Sequence, residues 1–469
     1  MRTAMRRSLI VFFSIVGMQS AAAADQWGEA KATAETLIGA ALNSDRGYDI
    51  IESLTTEVGP RLAGSAADPV AVAWAQDTFT KLGFERVRTQ AVALEGWVRG
   101  QERVELLSPF AQKLQVTTLG GSIATPKDGL TGEIVPFLTV DDLTNAPAEA
   151  IEGKVVYLSQ KMTRTQDGSG YGPANRNRRL GAIEAGRKGA QAVLIRSIGT
   201  DSHRLPHTGQ MASYVPDATP IPAAAMSNPD ADLLDRILSR GEPVTVSITL
   251  RPRALGGVTT HNVIADVLGR EKPEEVVVIG AHLDSWDLGT GAVDDGAGVG
   301  IVMAAASLIK DLPLPPKRTI RVVLFGAEEV GYFGAKVYQQ LAVGTLDKHV
   351  IAAESDFGAG RIWAIASRVH EDKVPAFKNL MRVLEPLGIN YRNNQGRGGP
   401  DVWRLGQNGV PLASLMQDGR DYFDLHHTAD DTFDKVDPAN IRQNVAAYAA
   451  FAYLMAEVDV DWRSANVSN

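Results

Sequence analysis

The 469-residue chain contains no cysteine. Disulfides, thiolate zinc sites and thiol nucleophiles are therefore excluded, and any metal must be held by His, Asp or Glu. Surplus positive charge is also missing. Against 55 Asp and Glu stand 47 Lys and Arg, a net charge of −8, which leaves no electrostatic footprint for nucleic acid or anionic lipid. Aromatic residues are sparse at 6%, yet 44% apolar and 22% charged residues are ordinary for a soluble globular protein. There is no G-x-S-x-G nucleophile elbow. His370-Glu371 fails as H-E-x-x-H because Val374 stands where the second histidine belongs. Gly296 to Gly300 fails as a dinucleotide loop because Ile301 takes the last glycine position.

Long apolar runs are lacking as well, except at the N-terminus. There Arg2, Arg6 and Arg7 precede the apolar run Leu9 to Met18, and Ala21 to Ala24 offer a small-residue cleavage site. The run is shorter than the ~20 residues a membrane-spanning helix needs. Residues 1–24 read as a cleavable signal peptide, and the mature chain as secreted or periplasmic, beginning near Asp25. No later stretch is read as spanning a bilayer, so no membrane attachment is expected after cleavage.

From His261 onward the pattern alternates strand and helix. Asn262 to Val267, Glu275 to Gly280, Thr319 to Phe325, Val350 to Glu354 and Pro411 to Leu415 are compact apolar strands. Helical spacing follows at Gly296 to Ile309, Gly331 to Leu341, Lys373 to Leu387 and Ala439 to Ala456. The fold class is α/β, a doubly wound sheet. Residues 25–121, including the strand-like runs Val87 to Leu94, Arg103 to Leu107 and Leu114 to Thr118, are assigned with 255–469 to this main domain. Residues 122–254, rich in short strands, proline and glycine, read as an inserted β-rich domain.

The chemistry lies where polar residues meet strand ends. One strand runs into His282 and Asp284, a second into Glu328-Glu329, a third into Asp356. In an open α/β sheet that rim is where ligand crevices form. Asp294-Asp295 and His426-His427 complete the set. Each residue alone has a bland reading as a turn, cap or surface group, but their joint arrival at one rim does not. So many carboxylates and imidazoles would repel or strand one another without a cation. His with carboxylates and no sulfur suits zinc, and the excess of carboxylates suggests a bridged pair of ions. His203 and His207, either side of Pro206, read as loop residues, with metal binding as a lesser alternative.

These residues also carry a resemblance. Gly280-Ala281-His282-Leu283-Asp284, Val293-Asp294-Asp295-Gly296, Ala327-Glu328-Glu329, Glu354-Ser355-Asp356 and His427-Thr428-Ala429-Asp430-Asp431 resemble the M28 zinc peptidases. With Pro206-His207-Thr208-Gly209 and His426-His427 they are similar to the carboxypeptidase Q group within them. The resemblance implies two Zn2+ per chain. His282 and Asp356 would hold one, Glu329 and His427 the other, and Asp294 would bridge them. Glu328 would be the general base. Asp284 would stand behind His282 as an acceptor that fixes its tautomer. A cis peptide at Asp294-Asp295, a protease-associated type of inserted domain capping the cleft, short peptide substrates with dipeptides foremost, and a homodimer are implied as well. Many M28 relatives place tyrosine where His426 stands, so the oxyanion donor is open between His426 and Tyr422. Two other readings stay open beside the peptidase: a single-zinc enzyme of the glutaminyl cyclase type, and a metal-free binding homologue of the transferrin receptor type.

Overall fold

The computed structural model describes residues 27–463, so the signal-peptide segment lies outside the described residues. The segments that lead into the polar residues are central strands of one mixed eight-stranded sheet. Its order is Val87–Val98, Arg253–Val267, Arg318–Phe325, Lys272–His282, His349–Glu354, Leu412–Gln417, Ile362–Arg368 and Asn390–Tyr391. The strand ending at His282 pairs in parallel with both neighbours, His282 against Phe325 and Gly280 against Glu354. Parallel pairing sends the segments after Phe325 and Glu354 off the same edge as His282, so Glu328, Glu329 and Asp356 converge with it.

Alternate residues of the central strand face two cores. Val277 and Ile279 pack with the helices Ala297–Lys310 and Pro438–Glu457, while Val276 and Val278 pack with Tyr338 and Leu405. Burial on both faces is why these strands read as unbroken β-branched runs. Each such side chain contributes about 1.5–3 kcal/mol when fully buried. The stretch Ala292–Lys310 is long and apolar enough to cross a membrane, contrary to the sequence reading. Its 18-residue apolar window is 94% buried, so the apolarity serves the core.

A second eight-stranded sheet orders Gln112–Leu114, Glu102–Ser108, Thr245–Leu250, Leu130–Phe137, Val155–Leu158, Ala192–Arg196, Ala223–Met226 and Val116–Thr118. This moves a boundary. Strands within 102–118, assigned from sequence to the main domain, belong to the inserted sheet, so the unit begins near residue 100 rather than 122. Alternating burial, seen in Glu102–Ser108, marks a strand but not the sheet with which it pairs. At the other end Arg253–Val267 already belongs to the first sheet. The inserted unit also carries the helix Tyr171–Arg187.

Glycines let the helix Ala297–Lys310 approach the site. A Cβ on Gly298 would press inside contact distance on the Ser355 carbonyl oxygen and the Asp295 carboxylate, whereas one on Gly344 would meet nothing. Gly298→Ala should therefore lower stability by about 1–3 kcal/mol through overpacking, seen as a lower urea midpoint, while Gly344→Ala should leave the midpoint near the wild-type value. Equal midpoints for the two variants would contradict this account of the helix approach.

Candidate metal centre

Five side chains meet at the sheet rim. Asp294 stands at the centre: Oδ1 lies 3.1 Å from His282 Nε2 and Oδ2 lies 3.3 Å from His427 Nε2. Each imidazole faces a second carboxylate, Asp356 at 3.6 Å from His282 and Glu329 at 3.0 Å from His427. His282, Asp294, Glu329 and His427 are buried, and the Asp356 side chain is only 8% exposed. Asp294 Oδ2 and Glu329 Oε1 have no hydrogen-bond partner. Orphaned buried carboxylate oxygens aimed among imidazoles are what a cation would satisfy. His282, Asp294 and Glu329 can converge on one ion, as can His282, Asp295 and Asp356, and also Asp294, His426 and His427. The residues present thus fit a metal group.

The electrostatics point the same way. Burial alone would lower the His282 and His427 values, but the carboxylates outweigh it. Asp356 and Asp294 raise His282 well above the usual histidine range, and Glu329 with Asp294 pushes His427 up to about 9. Burial opposes ionisation of Asp294, yet His282 and His427 beside it hold it well below the usual range. Glu328 lines the same crevice, and burial, with Asp356 and Glu329 beside it, raises its carboxyl well above the usual range. Carboxylates that raise both imidazoles in this way favour a cation between them.

The loops carrying these side chains are held by buried polar contacts. The Asp284 carboxylate accepts from the amides of Glu328 and Glu329, at 3.0 and 3.3 Å. Those contacts pin a turn in which Ala327 adopts φ 60°, left-handed backbone that costs a residue with a Cβ about 1–2 kcal/mol. Asp431 accepts from the amides of Val293 and Asp294, and Asp295 from those of His282 and Gly298. The Asp294-Asp295 peptide bond is cis. Arg61, fully buried, donates to the carbonyls of Leu283, Thr290 and Gly291 at 2.6, 2.7 and 2.9 Å, tying the His282 and Asp294 loops together.

One expected role changes. His282 Nδ1 donates to the backbone carbonyl of Asp284 at 2.9 Å, whereas the Asp284 carboxylate is 3.8 Å away. The carbonyl fixes the tautomer, because the carboxylate is already committed to the two glutamate amides. Burial pushes Asp284 up to about 7. His426 stacks on His427 at 3.5 Å between ring centroids, with Nε2 3.6 Å from Asp294, and Tyr422 meets His426 edge to face at 5.0 Å. Both line the crevice.

Sequence reasoning missed Arg61, Asp431 and the inserted unit's share of the site. Neither His203 nor His207 belongs to a candidate metal group among the described residues. Instead, buried His207 donates from Nδ1 to the His426 carbonyl at 2.6 Å, with Asp201 at 2.6 Å from Nε2. Thr208 donates its amide to the His427 carbonyl at 3.0 Å, and its own carbonyl accepts from His427 Nδ1 at 3.2 Å. His427 itself holds φ 62°. The loop signature Pro206-His207-Thr208-Gly209 was visible; its hydrogen bonds to residues 426 and 427, some 219 positions away, were not.

A rim of imidazoles and carboxylates around a central aspartate, on a parallel-cored α/β sheet, defines the class as a metal-dependent hydrolase. Residues 262–452 match the model of Peptidase family M28. The chain is 35% identical to carboxypeptidase Q of Bos taurus over 90% of its own length and 88% of that protein, and 23% identical to aminopeptidase YwaD of Bacillus subtilis over 84% and 81%. A solved peptidase M28 precursor from Shewanella amazonensis superposes with a TM-score of 0.92 at 52% identity, covering 93% of this chain and 99% of that one. A zinc aminopeptidase from Bacillus subtilis shares the fold, with a TM-score of 0.60 at 20% identity over 87% and 93%. The chain belongs to peptidase family M28.

His207→Ala should remove the support behind His426-His427 without touching a ligand. Metal affinity on the His427 side should fall about 10–100-fold, the scale for losing a partner that orients a ligand. Competition with a chelator of known affinity measures it. Unchanged affinity would show that the loop does not hold His427 in place.

Proposed function

We propose that the protein is an exported two-zinc exopeptidase that hydrolyses short peptides, dipeptides with both ends free foremost. The observation that carries this reading is Asp294, whose two oxygens are divided between two imidazoles, each with a further carboxylate of its own. His282 and Asp356 would hold one ion, Glu329 and His427 the other, and Asp294 both. The ligand types are those of catalytic zinc sites, and the same fold carries a zinc aminopeptidase in Bacillus subtilis. Bound zinc supplies Lewis acidity and a water that loses its proton near neutral pH.

The remaining work falls to the chain. Glu328, lining the crevice without serving as a ligand, takes the proton of the attacking water and delivers it to the leaving amine. The crevice holds about 220 Å3 between the metal ligands on one side and Tyr171, Asn175 and Arg178 of the inserted unit on the other. A neighbouring cavity of about 600 Å3 shares Tyr332, Asp356, Phe357 and Pro400 with it and offers room for one substrate side chain. Export rests on the composition of residues 1–24, and a homodimer on the carboxypeptidase Q resemblance.

Exchanging the two adjacent glutamates tests the assignment. Glu328→Gln should keep both metals while kcat falls about a hundred-fold or more, with KM little changed. Glu329→Gln should lose part of its metal and regain activity in excess zinc, because an amide oxygen is a poorer ligand than a carboxylate. Metal content by mass spectrometry alongside dipeptide hydrolysis separates the two. Equal metal content and equal activity in both variants would remove Glu328 as the base.

A further inference from the structure

A peptidase site needs a hydrogen-bond donor facing the substrate carbonyl oxygen, where negative charge develops during attack. Three tyrosines line the crevice: Tyr171, Tyr332 and Tyr422. A tyrosine is an effective donor only if its hydroxyl is fixed and its proton unspent. Among the described residues no hydrogen bond fixes the hydroxyl of Tyr332 or Tyr422, whereas that of Tyr171 accepts from Arg178 Nη2. A phenol oxygen that accepts from a guanidinium still has its own O–H to give, and the cation polarises it into a stronger donor. No acceptor for that O–H occurs among the described residues.

The position is rigid. Tyr171 opens the helix Tyr171–Arg187, and Arg178 follows two turns later on the same face. The guanidinium also lies over the Tyr171 ring at 5.5 Å and donates to the Thr208 carbonyl at 3.2 Å. The ring stacks on Phe423 at 5.0 Å and meets the edge of His426 at 5.3 Å. Burial raises the Tyr171 hydroxyl above the usual tyrosine range, with Arg178 working against the shift and Glu329 and Asp294 adding to it. The ring lines the same crevice as Asp294, Glu329 and His427.

We propose that Tyr171, supplied by the inserted unit and oriented by Arg178, donates the hydrogen bond that stabilises the substrate carbonyl oxygen as it becomes an oxyanion. This rests on the peptidase reading above and replaces His426 and Tyr422 as the oxyanion candidates. Tyr171 is a catalytic residue in this assignment, and Arg178 a positioning residue. No proton is transferred: the O–H stays with the phenol, and the hydrogen bond shortens as the oxygen gains charge. The inserted unit then completes the catalytic group as well as covering it.

The test uses the full zinc-loaded chain with a dipeptide and with a phosphinic dipeptide analogue that mimics the tetrahedral state. Tyr171→Phe should keep its metal content and its KM but lose about a hundred-fold in kcat, the scale for removing one oxyanion donor. Affinity for the phosphinic analogue should fall in step, since the interaction exists only in the tetrahedral state. Arg178→Met leaves the hydroxyl present but unoriented and should show a smaller loss of both, partly recovered in Arg178→Lys. Tyr422→Phe should lose less than Tyr171→Phe in both kcat and analogue affinity, because no hydrogen bond fixes its hydroxyl among the described residues. Unchanged kcat and analogue affinity in Tyr171→Phe would overturn the inference alone, as would the same loss appearing in Tyr422→Phe instead, or loss of zinc from Tyr171→Phe. A wild-type chain that cleaves none of a dipeptide panel would overturn the peptidase reading itself.

Discussion

Burying several carboxylates and imidazoles side by side is the constraint around which the rest of the molecule is arranged. Each buried carboxylate costs several kcal/mol unless charge or hydrogen bonds compensate it. Asp284, Asp295 and Asp431 meet this requirement with backbone amides. Asp294 and Glu329 do not, since each keeps an oxygen without a partner. Arg61, a cation buried beneath them, is committed to four backbone carbonyls. The deficit is left to be filled at the rim, between His282 and His427, and the amide-bonded carboxylates hold the loops so that it stays there.

Those loops come from two sheets. The first supplies His282, Glu329 and Asp356 at or just beyond adjacent strand ends, which parallel pairing brings to the same edge. His427 arrives from a late loop in left-handed backbone and is tied to the second unit through Thr208, with His207 behind His426. The inserted unit is thereby a structural part of the metal centre. Removing it would free both the carbonyl that orients the His427 ring and the amide that holds the His427 backbone. Movement between the two units would act first on the ligand set on the His427 side, and only then on access to the crevice.

The convergence of this side-chain set was legible because strand ends in an α/β sheet are predictable and because His, Asp and Glu advertise their chemistry. The residues that hold the set were not. Arg61 acts through carbonyls, which leave no trace in the sequence of the loops it binds. Asp284 was read as an orienting carboxylate, but a histidine two residues away reaches its backbone more easily than its side chain. The boundary near residue 100 was lost because Glu102–Ser108 has a strand's pattern whichever sheet it joins. The stretch Ala292–Lys310, long and apolar enough to suit a bilayer, instead carries the hidden inner helix of a two-sided core. Periodicity gives the elements and composition the chemistry, but long-range hydrogen bonds from side chains to backbone follow from neither.

The central claim is that the rim holds two cations around Asp294, and counting metal on the active chain tests it most directly. Protein purified without chelator would be assayed for dipeptide hydrolysis and, in the same sample, for zinc by mass spectrometry. Chelation should abolish activity, and activity should return fully only as zinc approaches two per chain, consistent with a carboxylate shared between ions. Full activity at one zinc per chain, or in a chain free of metal, would contradict the account.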